Sequence, residues 1–222
     1  MSGVSERPLR VHLAGDSTVA ACPAGEEPMS GWGAHLGQVS GWAVRNLAVG
    51  GASTASFREE GRWADLLSRT AEGDVVLVQF GHNDQKRPGE LDAHGGYSAN
   101  LAAFVAEARD AGARPVLCTS VARRRFTGTV LEPTLGEYPA AVRELAAREA
   151  VPLVDLEVFT SWWYDQLGPQ RSRRLFVHLA PGEHPCWPGG LADDTHFSHR
   201  GARGVAAYVA RSLPAVLDAK GS

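Results

Sequence analysis

The sequence predicts an α/β protein in which helices cover both faces of a parallel sheet. Three observations carry that expectation: five short apolar runs rich in β-branched residues, helical patterns between them, and a composition suited to a large core. The runs are 11–14, 44–49, 75–80, 116–119 and 153–156, each mostly unbroken rather than alternating. Strands of that kind are buried on both sides. Parallel neighbours need a crossover connection, so strand alternating with helix points to a parallel sheet. The chain has 222 residues, 44% hydrophobic and 21% charged, with no repeat, low-complexity stretch or linker. A single domain over residues 1–222 is expected.

The first strand, 11–14, runs into Gly15-Asp16-Ser17-Thr18 and so sets a serine at the turn leaving its carboxyl end. In a parallel sheet that is the end at which ligands bind. If a helix starts just after Ser17, its free N–H groups can help stabilise negative charge near the hydroxyl. The alternative is that Asp16 or Ser17 merely caps that helix. A helix at 32–39 follows, flanked by Trp32 and Trp42, which read as core residues. The second strand, 44–49, leads into Gly50-Gly51-Ala52-Ser53, where a glycine pair frees backbone N–H groups for close approach to a substrate. A helix at 63–70 precedes the third strand, 75–80, which delivers Gly81-His82-Asn83-Asp84 at the same end of the sheet. A backbone amide of the glycine pair and the Asn83 side chain could donate to one oxygen; the alternative is two ordinary turns.

The helix at 99–111 places Leu101, Phe104, Val105 and Ala108 on one face, with Gly112 as its stop. The fourth strand, 116–119, a helix at 138–150 and the fifth strand, 153–156, complete the alternation. The helical stretch after it carries Trp162-Trp163-Tyr164, expected to pack on the core, with sugar stacking as the alternative. Segments 88–96, 123–136 and 169–191 read as loops and short helices over one face, and long loops in compact α/β domains are commonly functional. A last helix is expected at 201–217. Before it, Asp193-Asp194-Thr195-His196 puts an acid and an imidazole in one short loop. At that spacing in a turn a carboxylate can reach the Nδ1–H of the histidine and leave Nε2 to take a proton from a serine. A capped helix start is the alternative.

With 22 Lys and Arg against 25 Asp and Glu, the net charge of −3 excludes bulk attraction to nucleic acid or an anionic membrane surface. No apolar run approaches the ~18 residues that would cross a bilayer. The opening MSGVSERPLR lacks the apolar stretch of a secretory leader. Three cysteines, Cys22, Cys118 and Cys186, are too few and too odd in number for a disulfide framework and are expected as free thiols, so the expected location is cytoplasmic. His178, His184, His196 and His199 lie near Asp193 and Asp194, but no HExxH is present and the spacing matches no short ligand motif, so no metal or cofactor is expected. The clusters Arg123-Arg124-Arg125 and Arg171-x-Arg173-Arg174 read either as a solvated charged face or as partners for carboxylates of a uronate-containing polymer. His184 and Trp187, just before Asp193, are placed to line a cleft and bind substrate.

Four segments in this order, GDST, NLAVGGAS, FGHND and DDTHFSHRGA, resemble the four sequence blocks of the SGNH (GDSL-type) hydrolases, and they span Gly15 to Ala202. More narrowly, GHNDQK, VARRRF, LAPGEHP and DDTHFS resemble the rhamnogalacturonan acetylesterase-like branch of carbohydrate esterases. The resemblance implies a three-layer α/β/α flavodoxin-like fold with a five-stranded parallel sheet in order 2-1-3-4-5, and a serine esterase mechanism. Carried over by position, Ser17 is the nucleophile, His196 the general base and Asp193, rather than Asp194, the residue that orients it. The oxyanion donors become the Ser17 N–H, the Gly51 N–H and the Asn83 side chain, with Gly51 preferred over Gly50. The implied substrate is an acetylated plant cell-wall saccharide of the pectin type. A general short-chain acyl esterase or lipase-like thioesterase, and a carbohydrate-binding protein without turnover, are the alternatives.

Overall fold

The structure is a computed structural model and describes residues 9–219. Strands β1 (Arg10–Gly15), β2 (Ala43–Asn46), β3 (Val75–Gln79), β4 (Arg114–Cys118) and β7 (Leu153–Val154) form one parallel sheet in the order β2-β1-β3-β4-β7. Counting only these five, the order is the expected 2-1-3-4-5. Register is continuous, with Val11 beside both Val44 and Val75, and Leu77 beside Val116.

Period-2 alternation of these buried strands builds two cores. Val11, Leu13, Val75, Leu77 and Val116 face one side, where they pack with Leu36 of α1 (Gly33–Ser40) and with Val205 and Val209 of α7 (His199–Asp218). Ala14, Val76, Val78 and Leu117 face the other. There they meet Phe57 of α2 (Thr54–Glu59), Trp63 of α3 (Arg62–Ser68), Phe104 of α4 (Gly96–Asp110) and Leu145 of α5 (Tyr138–Arg148). Helices on both faces of the sheet make the three layers.

Several elements differ from expectation for local reasons. No helix follows Ser17: Val19 N–H and Ala20 N–H close a turn on the Asp16 carbonyl at 3.0 and 2.9 Å, and the chain reaches α1 only at Gly33. β2 stops at Asn46 because that side chain turns the chain, donating to the Val19 carbonyl and accepting from Ala48 N–H. Helix α2 was not expected; its signal is the reciprocal pair Ser53 and Ser56, each side chain accepting the other's backbone N–H. The segment read as loops and short helices over 169–191 also holds β8 (Phe176–Leu179), which forms a hairpin with β9 (Leu191–Phe197). Asp193 and His196 therefore lie on a strand, not in a short loop. A small hairpin, β5 (Phe126–Thr127) with β6 (Val130–Leu131), interrupts 123–136.

The fifth strand ends at Val154 because Asp155 starts a helix, α6 (Leu156–Ser172), which breaks at Gly168. Its aromatic cluster divides: Tyr164 is fully buried and Trp163 stacks on Phe159, whereas Trp162 is 58% exposed. Trp32 is fully buried and Trp42 packs at the core edge. Among the described residues no helix is long and apolar enough to cross a membrane.

The Asp155 carboxylate accepts from Val158 N–H, the Thr119 hydroxyl and two nitrogens of Arg143. Burial pushes its carboxyl up, but the Arg143 guanidinium and the two other donors outweigh that and hold it below the usual aspartate value. A depressed folded-state value stabilises the fold above the unfolded value, near 3.9, and the stabilisation is lost as pH falls through the folded one. Arg143→Met should therefore move the acid-unfolding midpoint to higher pH, and Asp155→Ala should cost about 1 kcal/mol at neutral pH through the lost cap. Circular dichroism along a pH titration and denaturant melts check both; unchanged midpoints would deny the cap its role.

Candidate active site

The turn at Asp16–Thr18 is held from below by a chain of buried hydrogen bonds. The Trp32 indole N–H donates to Gln79 Oε1 at 2.8 Å, Gln79 Nε2 donates to Thr18 Oγ1 at 2.6 Å, and that hydroxyl donates to Asp16 Oδ1 at 2.7 Å. Gln79 ends β3 and Thr18 lies just past β1, so the network ties two strand ends together. Gly15 has no room for a side chain, since a Cβ there would lie 2.6 Å from Val19 Cγ2 and 2.8 Å from the Gln79 carbonyl. Sequence reasoning missed Gln79 and Thr18; a polar residue closing the apolar run Val75-Val76-Leu77-Val78 was the available signal.

Ser17, half-buried on this turn, has its Oγ 2.9 Å from His196 Nε2 across 179 residues of sequence. Asp193 Oδ2 lies 2.7 Å from His196 Nδ1. On a regular strand residues i and i+3 face opposite sides. Here Asp193 Oδ1 accepts from Thr195 N–H at 2.7 Å and His196 N–H at 2.8 Å, a local turn that folds the carboxylate back under the imidazole. Burial pushes the Asp193 carboxyl up, but the His196 ring and these two backbone donors hold it below the usual carboxylate range. An ionised Asp193 requires the proton on Nδ1, which leaves the Nε2 lone pair facing the Ser17 hydroxyl.

Asp194 points elsewhere, accepting from Arg124 Nη1 at 2.7 Å and standing 2.9 Å from His178 Nε2. Only Asp193 of the two aspartates reaches His196. This use of Asp194 as an anchor for Arg124 was not read from the sequence.

The glycine turn closes against the serine: a Cβ on Gly50 would lie 3.9 Å from Ser17 Cβ. Gly51 sits at φ +80° with open space around it, so glycine is required there by backbone conformation and not by crowding. Asn83 is gripped at both ends of its amide, Nδ2 donating to the Ala52 carbonyl at 2.9 Å and Oδ1 accepting from Lys86 Nζ at 2.8 Å. Next to it, the buried Asp84 accepts from Thr54 N–H and the Thr54 hydroxyl, fastening the loop after β3 to the start of α2. Among the described residues the Ser17 and Gly51 N–H groups make no hydrogen bond, and the second N–H of Asn83 Nδ2 is free.

His184 and Trp187 sit in the turn of the β8–β9 hairpin with ring centroids 4.6 Å apart, and no hydrogen bond or ring contact joins them to Ser17 or His196. Among the described residues, no group of three or more His, Cys, Asp or Glu is arranged to hold a metal ion.

A family profile described as "GDSL-like Lipase/Acylhydrolase family" matches residues 13–203. The chain is 48% identical over 211 residues to the rhamnogalacturonan acetylesterase RhgT of Bacillus subtilis (strain 168), covering 94% of this chain and 90% of that protein. It is 32% identical over 208 residues to the probable rhamnogalacturonan acetylesterase YesY of the same organism, covering 91% of each. Among solved structures, that of the Bacillus subtilis protein YxiM superposes with a TM-score of 0.76 at 25% identity, over 94% of this chain and 56% of that one.

Proposed function

The chain belongs to the GDSL-like lipase/acylhydrolase family, and on that footing we propose that it is a serine esterase removing O-acetyl groups from pectin-type, rhamnogalacturonan-like saccharides through an acyl-enzyme. The observation that carries the mechanism is the unbroken relay from Ser17 Oγ through His196 to Asp193, at 2.9 and 2.7 Å. Similarity to the two acetylesterases supports the substrate class.

Ser17 attacks the acetyl carbonyl while His196 Nε2 takes its proton, and Asp193 stabilises the imidazolium that forms. The Ser17 and Gly51 N–H groups and the Asn83 amide hold the developing oxyanion. The imidazolium then protonates the departing sugar hydroxyl. Water, deprotonated by the same imidazole, attacks the acyl carbonyl, and the imidazolium returns that proton to Ser17 Oγ as the acyl bond breaks and acetic acid leaves. Each proton has a named donor and acceptor, and the route uses no metal or cofactor.

Asn83→Ala should lower kcat by about 10²–10³ with KM little changed, because a donor aimed at the oxyanion acts in the transition state. Steady-state kinetics on a small acetyl ester check this, and a loss below threefold would remove Asn83 from the oxyanion hole. His184 and Trp187 are proposed to contact the sugar from the hairpin turn beside Asp193. Cys22, Cys118 and Cys186 are all unbridged, which supports a reducing, cytoplasmic setting.

Acetate release from a panel of acetylated polysaccharides and their oligomers, run beside longer acyl esters, tests the substrate reading. Preference for acetylated pectic oligomers is expected. A preference for long acyl chains would make the protein a general lipase-like esterase instead.

A further inference from the structure

Beside the strand that carries Asp193 and His196 lies a cavity of about 660 Å³ whose walls include Arg123, Arg124, Arg125, Gln85, Asp194 and Thr195. The protein as a whole carries a net charge of −3, yet this wall gathers three guanidinium groups against the single carboxylate of Asp194.

The three arginines are not equivalent. Arg124 is committed to the fold: it pairs with Asp194 at 2.7 Å, donates to Ser172 Oγ at 3.0 Å and also donates to the Pro169 carbonyl. Arg125, 71% exposed, pairs with Glu132 at 3.2 Å. Arg123 has no carboxylate partner among the described residues. It makes three long hydrogen bonds to neutral acceptors, from Nη1 to Gln85 Oε1 at 3.2 Å and the Thr134 carbonyl at 3.4 Å, and from Nη2 to the His82 carbonyl at 3.4 Å. Of its five N–H donors, two are left without a partner.

These acceptors fix the guanidinium plane without neutralising it. Burial pushes the Arg123 guanidinium down from its ordinary value, only partly offset by the charge of Asp16. A half-buried, oriented and unneutralised arginine gains from an incoming planar anion, and a carboxylate matches the fork of two N–H groups.

We propose that Arg123 binds the carboxylate of a hexuronate residue in the saccharide, so that this cavity selects acidic over neutral sugars next to the reacting ester. The position of the ester rests on the acetylesterase reading above; the anion site itself does not. Thr195 in the cavity wall immediately precedes His196 on β9, and Arg123 donates to the carbonyl of His82, the residue before Asn83, so the cavity adjoins the segments that carry the candidate catalytic groups. Arg123 is a specificity residue in this account and takes no part in proton transfer.

Binding separates the two claims because it requires no turnover. Unacetylated trigalacturonate, its carboxyl-reduced counterpart and inorganic phosphate are titrated calorimetrically against the protein and against Arg123→Gln and Arg123→Lys. The uronate should bind the parent about 10–100-fold more tightly than the reduced sugar. Arg123→Gln should bring that ratio close to one, and Arg123→Lys should restore part of it. Equal binding of the two sugars by the parent overturns the proposal even if the Gln variant fails to fold. So does a ratio that survives in a folded Arg123→Gln protein, or phosphate binding as tight as the uronate, which would make this a general anion site. Tight uronate binding by a protein that releases no acetate from any acetylated sugar would instead sink the acetylesterase reading and leave the Arg123 site standing.

Discussion

Ser17→Ala should lower kcat for acetyl-ester hydrolysis by about 10⁶ while leaving the fold intact. The size of the loss follows from the chemistry. Without the hydroxyl there is no bond from protein to acetyl group, so the two-step route closes. In the proposed mechanism what remains is the pull of the Gly51 and residue 17 N–H groups and the Asn83 amide on the carbonyl, worth about 10³–10⁴ over water in comparable sites. The fold should survive because the turn is held by its neighbours: Thr18 donates to Asp16 from its N–H and its hydroxyl and accepts from Gln79, and none of these bonds uses the Ser17 side chain. Paired measurements of kcat and thermal midpoint read the result. Hydrolysis within tenfold of the parent would mean that another group attacks the ester.

Asp193→Asn should cost about 10⁴ in kcat, with a much smaller change in KM. The present carboxylate does two tasks with two oxygens. Oδ1 receives the N–H groups of Thr195 and His196, and Oδ2 receives the imidazole Nδ1–H. An asparagine keeps the first task with its carbonyl oxygen, so the local turn and the position of His196 persist. Its NH₂ then faces Nδ1 as a donor where an acceptor is needed. The ring responds by moving its proton to Nε2, the nitrogen 2.9 Å from Ser17 Oγ, and so loses its ability to deprotonate serine. A loss of less than tenfold would remove Asp193 from the relay, and Asp194 is already bound to Arg124 and His178 and offers no replacement.

The parts of the molecule legible in the sequence were those that obey one period. Val75-Val76-Leu77-Val78 is apolar on both faces because both faces are covered, and such a run can be assigned without knowing its neighbours. The candidate site was legible where polar residues follow apolar runs at strand ends, as with Ser17 after β1 and Asn83 after β3. It was less legible where a remote partner decides the conformation. β9 carries Asp193, Asp194 and Thr195, which show no alternation, and it becomes a strand by pairing with β8 around a register shift. The turn after Ser17 looks in sequence like a helix start; the Asp16 carbonyl and the Trp32–Gln79–Thr18 network make it a turn instead. In sequence Trp162 reads with Trp163 and Tyr164 as core, but adjacent helix positions lie about 100° apart, and Trp162 falls on the outer side.

The arginine run illustrates the same limit. Arg123, Arg124 and Arg125 are indistinguishable in sequence and all line one cavity, while in the fold one braces Asp194, one pairs with Glu132 at the surface and one has only neutral acceptors among the described residues. Their difference lies in long-range contacts, from Gln85 to Asp194, that no local pattern encodes.

In the proposed mechanism one particular hydroxyl, at position 17, carries the acyl group. Treatment with a small fluorophosphonate, followed by peptide mass spectrometry and a parallel assay of residual acetate release, tests it most directly. One phosphonyl adduct per chain is expected, on the peptide containing Ser17, with activity lost in proportion to labelling. An adduct on a different residue, or hydrolysis that continues undiminished once position 17 is fully labelled, would contradict it.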